Sequence, residues 1–276
     1  MTILASGVGM SQTASAQDAL ARAKETGKVT VGIFNQSPWG FIDAEGEVKG
    51  QSTDVLKATF AQLGITEIET VVTEFGALIP GLESRRFDVV AAGLFINPER
   101  CKIVAFGNPD LQMGDGLLVR KGNPKRLESY ADIAQNGDVT LAGGRGSVQS
   151  RNAAAAGIPK DSLLLFPDHQ TSMSALLAGR VDAMTTTTAS AIALAASSHQ
   201  VERVLSFKGG MDADGKPIYG YPGLAFRKED SDFRDAYNAK LEKLKQSGKL
   251  AEINKAYGFS EAELPPADLT AETLCE

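Results

Sequence analysis

The chain has 276 residues, 43% of them hydrophobic and 22% charged, a globular composition long enough for two modest domains. Its net charge of −6 argues against nucleic acid and anionic membrane as partners. No window of about 20 apolar residues is present to cross a bilayer.

At the N-terminus a short apolar patch leads to Ala14-Ser15-Ala16. This small-x-small pattern fits export with cleavage after Ala16, so residues 1–16 are read as the remnant of a signal peptide and a periplasmic location is expected. From Gly27 onward, short apolar runs alternate with amphipathic stretches. "KVTVGIF" (28–34) predicts a strand and "GFIDAEGEVKGQ" (40–51) a loop or hairpin. "STDVLKATFAQLG" predicts a helix capped by Ser52 or Thr53 and stopped at Gly64. "EIETVVTEF" reads as a strand, "GALIPGLESRR" as a short helix and "FDVVAAGL" as a strand. The order then restarts: strand "DVTLAGG", helix "SVQSRNAAAAG", strand "LLLFP", helix "TSMSALLAGR" and strand "VDAMTTTT". The segment after Asp230 is helical, with Phe233, Tyr237, Leu241 and Leu244 on one face. The fold class is therefore α/β: two tandem units, each with a parallel sheet covered by helices.

α/β units place ligands outside the carboxyl ends of their strands. Trp39, Phe95 with Asn97, Gly144 to Ser147, and Thr185 to Thr188 all follow predicted strands, so one crevice between the units is the candidate site. "GGRGS" before a helix presents backbone N–H groups suited to an anion, which points to Gly144 and Ser147; a bare tight turn is the alternative. Arg145 is expected to face solvent. Neither a nucleotide loop nor a metal-ligand cluster is legible, and no cofactor is expected. The only cysteines, Cys101 and Cys275, are too far apart for a CxxC motif and are either paired or free.

"FGALIPGLESRRFDVVAAGLFINPERCKIVAFGNPDL" resembles the signature of solute-binding proteins of polar amino-acid ABC importers. "LLAGRVDA" and "GLAFRKEDSDFRDAYNAKLEKLKQSGKLAEI" resemble the same family's later segments, so the likeness spans about 28–258. It implies a bilobal periplasmic-binding-protein fold closing on one small ligand. Lobe 1 would comprise 17–113 and 226–276, and lobe 2 would comprise 114–225. Crossings near 112–118 and 223–227 would form a two-strand hinge. It also implies an ABC importer's transmembrane subunits as partners, a monomeric receptor and no catalysis.

In that family the arginine of "PER" binds the ligand carboxylate, which points to Arg100; a planar guanidinium meets a carboxylate through two parallel charge-assisted bonds. Gly93, at the end of "FDVVAAG", belongs to the same wall. The departures matter more. Where amino-acid binders place an Asp for the α-ammonium, this chain has Thr187; the acidic residue often near the first strand's end is Gln36; small hydroxyl residues before "PER" are replaced by Phe95 and Asn97. Trp39, Phe75 and Phe95 could box a delocalised or alkylated cation, each contact contributing roughly 2 kcal/mol when desolvated. This pattern resembles the ectoine and hydroxyectoine binders. Betaines or a polar amino acid are the alternatives, with a dehydratase-like enzyme or a sensor module on the same fold behind them. No His or carboxylate is expected in the cleft, which weighs against an enzyme. If the C-terminal helices complete the first lobe, as the resemblance implies, the tail can reach the Arg100 loop. A Cys101–Cys275 disulfide is then expected in an oxidising compartment, against a buried thiol at Cys101 and a free Cys275.

Overall fold

Strand β1 (Lys28–Ile33) alternates as its sequence demands, burying Val29, Val31 and Ile33. Around it, the computed structural model describes residues 19–276; the predicted cleavage region, 1–16, lies outside the described residues. The first part of the chain contributes α1 (Ala19–Thr26), β1, the hairpin β2 (Phe41–Ile42) and β3 (Val48–Lys49), α2 (Gln51–Ala61) and β4 (Glu67–Val72). Then come α3 (Leu78–Glu83), β5 (Val89–Val90), α4 (Pro98–Cys101) and β6 (Val104–Phe106). The middle supplies β7 (Asp115–Arg120), α5 (Tyr130–Gln135), β8 (Leu141–Gly144), α6 (Val148–Ala155) and β9 (Leu163–Phe166). It continues with α7 (His169–Leu177), β10 (Ala183–Thr187), α8 (Thr188–Ser197) and β11 (Val201–Arg203). The chain closes with β12 (Ala225–Arg227), α9 (Ser231–Gln246), α10 (Lys249–Ala256) and α11 (Ala271–Cys275).

Two five-stranded sheets result, ordered β4-β1-β5-β12-β6 and β11-β7-β10-β8-β9. Neither is purely parallel, contrary to what the repeated βα order predicts. β12 runs antiparallel to β5 and β6, and β7 antiparallel to β10 and β11. These are the strands by which the chain enters each lobe from the other, so they run against the parallel set. The crossings end sooner than expected, because Asp115 and Ala225 already begin β7 and β12. Ahead of them, Met113 and Gly220 exchange both backbone hydrogen bonds at 2.7 Å. The hinge is thus a short antiparallel pair. Gly220 is required there, since a Cβ would lie 1.8 Å from the Phe95 ring.

α2 begins at Gly50, not at a hydroxyl cap. Gly50 has φ +133, and a Cβ would meet the Trp39 carbonyl oxygen at 2.3 Å. Ser52 is turned inward and accepts from the Gly93 N–H, while Thr53 donates to the Gly50 carbonyl. α9 lays Phe233, Tyr237, Leu241 and Leu244 against β1 and α2, with Phe60 and Phe233 stacked at 4.9 Å. Each such buried side chain contributes about 1.5–3 kcal/mol. The C-terminal segment therefore completes the first lobe. On the sheet's other face, Leu274 and Cys275 pack with Leu78, Phe87 and Cys101, and Cys101 and Cys275 are joined by a disulfide.

Candidate ligand-binding site

Between the two sheets lies a cavity of about 50 Å3. Trp39, Phe75, Gly93, Phe95, Arg100, Gly144, Ser147 and Thr187 all line it. Gln36 does not. The chain turns immediately after β1, with Gln36 and Gly40 paired, and the Gln36 amide donates to the Ser37 carbonyl. Phe34, at the end of the strand, faces the cleft instead.

Arg100 is positioned by the start of α4. Asn97 caps that turn by accepting from the Arg100 N–H at 3.0 Å, with Pro98 as the first helical residue. The Arg100 side chain is buried, 6% exposed. It donates to the Phe95 carbonyl at 2.7 Å and, across the cleft, to the Gly146 carbonyl at 2.9 Å. Its guanidinium lies 5.6 Å from the Phe75 ring centroid. Among the described residues no carboxylate stands within 4.0 Å of it. Burial, reinforced by Arg151, depresses its pKa to about 9, so it is still a cation at neutral pH. A buried cation satisfied only by dipoles is a seat for an anion.

The aromatic walls fall into two groups. Trp39 and Phe95 belong to an apolar cluster with Leu111, Met113, Ala189 and Phe259, and Trp39 stacks on Phe259 at 6.0 Å. A Cβ on Gly93 would lie 2.5 Å from the Trp39 ring, so only glycine lets the indole lie there. Phe34 and Phe75 meet edge to face at 5.4 Å, and Phe34 meets His169 at 5.5 Å.

The second lobe supplies helix caps. Ser147 accepts from the Ser150 N–H and Thr187 from the Ser190 N–H. The amides of the "GGRGS" turn are partly spent internally: Ser147 N–H goes to Gly144 and Arg145 N–H to Phe166. The turn offers Arg100 a carbonyl, where amides for an anion were expected. Arg145 is largely exposed, but pairs with Glu74 of the first lobe at 3.3 Å.

The expectation that no His or carboxylate reaches the cleft is overturned. Asp168 and His169 line the cavity, as do Gln149, Thr185, Thr186 and Ser190. Asp168 and His169 follow β9, so the strand-end rule that finds Gly144 also applies to them. Burial lowers the His169 pKa to about 4, keeping the ring neutral at physiological pH. The lobes are shut: besides the Arg100–Gly146 bond, the Trp39 indole N–H donates to Ser190 Oγ at 3.1 Å, and Arg151 approaches Glu99 to 3.7 Å.

Two α/β lobes on a paired hinge, closed over a small cavity with a buried cation in its wall, define a solute-binding protein. The chain belongs to the bacterial extracellular solute-binding proteins, family 3, whose family model matches residues 29–261. It is 36% identical over 261 residues to a probable amino-acid ABC transporter periplasmic-binding protein of Sinorhizobium fredii, covering 93% of this chain and 85% of that one. The crystal structure of EhuB in complex with hydroxyectoine superposes with a TM-score of 0.85 at 35% identity, covering 94% of this chain and 98% of that one. An ancestral amino-acid-binding protein, a precursor of cyclohexadienyl dehydratase, superposes with a TM-score of 0.74 at 27% identity, covering 86% and 98%. The protein is accordingly a solute-binding component of an ABC importer for amino-acid-like ligands.

Proposed function

We propose that this protein is a periplasmic, monomeric receptor for a small zwitterion with one carboxylate and a delocalised or alkylated cation, ectoine or hydroxyectoine before betaines. The observation that carries the reading is Arg100, buried without a carboxylate partner among the described residues and set in an aromatic-lined cavity. Its two outer nitrogens would exchange their carbonyl partners for, or share them with, the ligand carboxylate. Phe75, Phe95 and Trp39, with Phe34, would face the cation; Gly93, Gly144, Ser147 and Thr187 shape the walls around it. The likeness to EhuB supports this ligand class. Export is supported by the small-residue leader and the disulfide. Binding, not turnover, is the proposed activity, and the importer's membrane subunits are the partner that receives the solute.

A polar amino acid is the second reading. Asp168 favours it, because it lines the cavity and its carboxylate could hold an α-ammonium. Titration calorimetry with ectoine, hydroxyectoine, glycine betaine, glutamine and arginine separates the two. Heat from the compatible solutes alone supports the first reading. Tight binding of an ordinary amino acid, with none of the compatible solutes bound, overturns it.

A further inference from the structure

Two polar atoms of cavity-lining residues have no use in clamping a carboxylate or boxing a cation. His169 Nδ1 and Gln149 Nε2 are both buried and both without a hydrogen-bond partner, on residues that line the cavity. Buried polar atoms left unpaired cost stability, and sites built around them select ligands that pair them. We propose that His169 and Gln149 read a hydroxyl group on the bound zwitterion and so make the protein prefer a hydroxylated ligand over its deoxy counterpart; this rests on the zwitterion reading above.

The chemistry narrows the group to a hydroxyl. Gln149 Nε2 can only donate. His169 Nε2 lies 3.1 Å from Thr186 Oγ1. If that nitrogen donates to Thr186, Nδ1 accepts; if Thr186 donates, Nδ1 carries the proton. A hydroxyl donates one bond and accepts two, so it can pair with either tautomer of His169 and can accept from Gln149. A second carboxylate would satisfy only the donor tautomer and would face the neighbouring Asp168. A methyl or methylene would leave both atoms unpaired. The imidazole is held in place from two sides. Phe34 packs edge-on against it, and Asp168 caps the helix that begins with His169 by accepting from the Thr171 N–H at 2.7 Å.

Calorimetry on the full chain with ectoine and hydroxyectoine as paired probes tests the proposal. The wild type should bind hydroxyectoine about tenfold more tightly, the worth of one well-made buried hydrogen-bonded contact. His169→Phe keeps a ring against Phe34 and removes both nitrogens. It should bring hydroxyectoine to the ectoine level, the larger loss falling on hydroxyectoine. Gln149→Leu should narrow the gap in the same direction. Equal wild-type affinities for the two probes overturn the proposal, as does an equal loss of both in His169→Phe, which would mark a merely structural role. If neither probe binds the wild type while an amino acid does, the zwitterion reading falls and this one with it, an outcome distinct from the other two.

Discussion

Arg100 shows how much one side chain decides. Its five donors sit in a rigid fork, and the fold has buried that fork against two carbonyls and the Phe75 ring, so on the proposed reading the ligand carboxylate would supply the countercharge. Arg100→Ala should abolish binding with an unchanged circular-dichroism spectrum. Arg100→Lys, a point charge without the fork, should weaken it by about 2–5 kcal/mol; unchanged affinity for the lysine variant would refute the clamp. Trp39 is more deeply committed to packing than a cage residue, given its stack on Phe259 and its contact with Gly93. Trp39→Ala should therefore lower thermal stability and affinity together, whereas Phe75→Ala should act mainly on affinity. Asp110 behaves differently. It lies wholly buried beside the hinge, accepts from the Gln51 amide at 3.3 Å, and gives its own N–H to Pro222. Burial raises its carboxyl pKa from 3.8 to about 7, against which Gln51 and the positive Lys245 pull only partly. At Asp110 the folded state then binds more protons than the unfolded chain between those two values, so this group's contribution to stability falls as pH rises through that window. Asp110→Asn should show a flatter profile and exceed the wild type at pH 8 in urea melts. Parallel profiles for the two proteins would contradict the assignment.

At the scale of elements, α4 and α11 are joined by the Cys101–Cys275 bond across 174 residues of sequence. Closing so long a loop stabilises by about 5 kcal/mol in the chain-entropy model, often less when measured. The double variant Cys101→Ser/Cys275→Ser should lose about 2–5 kcal/mol of unfolding free energy, and its tail should become protease-sensitive ahead of the lobes. Alkylation of both thiols in the unreduced wild type would deny the bond. Strong periodicity makes some elements legible in the sequence. α9 shows its apolar stripe at helical spacing, and β1 alternates. α8 is hidden because its buried residues, Ala189, Ser190, Ala191 and Leu194, are mostly small, and because Thr187 ends a strand while capping the helix. β12, only Ala225–Arg227, gains its identity from pairing with β5 and β6, which local sequence does not encode. In the site, Arg100 is readable from "PER", whereas Gln36 is not where its sequence position suggests, because the tight Gln36–Gly40 turn, closed by its own backbone hydrogen bonds, takes it out of the cleft. His169 escapes the sequence because its distance along the chain from the signature loop says nothing of adjacency between strand ends.

The whole molecule is a clamp whose jaws meet at the Arg100–Gly146 and Trp39–Ser190 hydrogen bonds and at two ion pairs. Arg145–Glu74 and Arg151–Glu99 span the cleft in largely exposed positions, and such pairs contribute about 0–1 kcal/mol each, less in salt. They cannot hold the lobes shut alone, so the shut form should be populated chiefly when a ligand anion joins Arg100. Small-angle scattering should record a smaller radius of gyration on adding ligand; an unchanged radius at saturation would mean a preclosed receptor. One contact across the cleft has a spectroscopic meaning. Trp39 is the only tryptophan in the chain, and its indole N–H is bonded to Ser190 in the opposite lobe. When the jaws part, that nitrogen meets water, and indole emission moves to longer wavelength as its surroundings become more polar. The receptor would therefore carry a native optical gauge of its own closure. Ligand titrated into unlabelled protein should shift the emission blue, and the midpoint of that shift should coincide with the calorimetric dissociation constant.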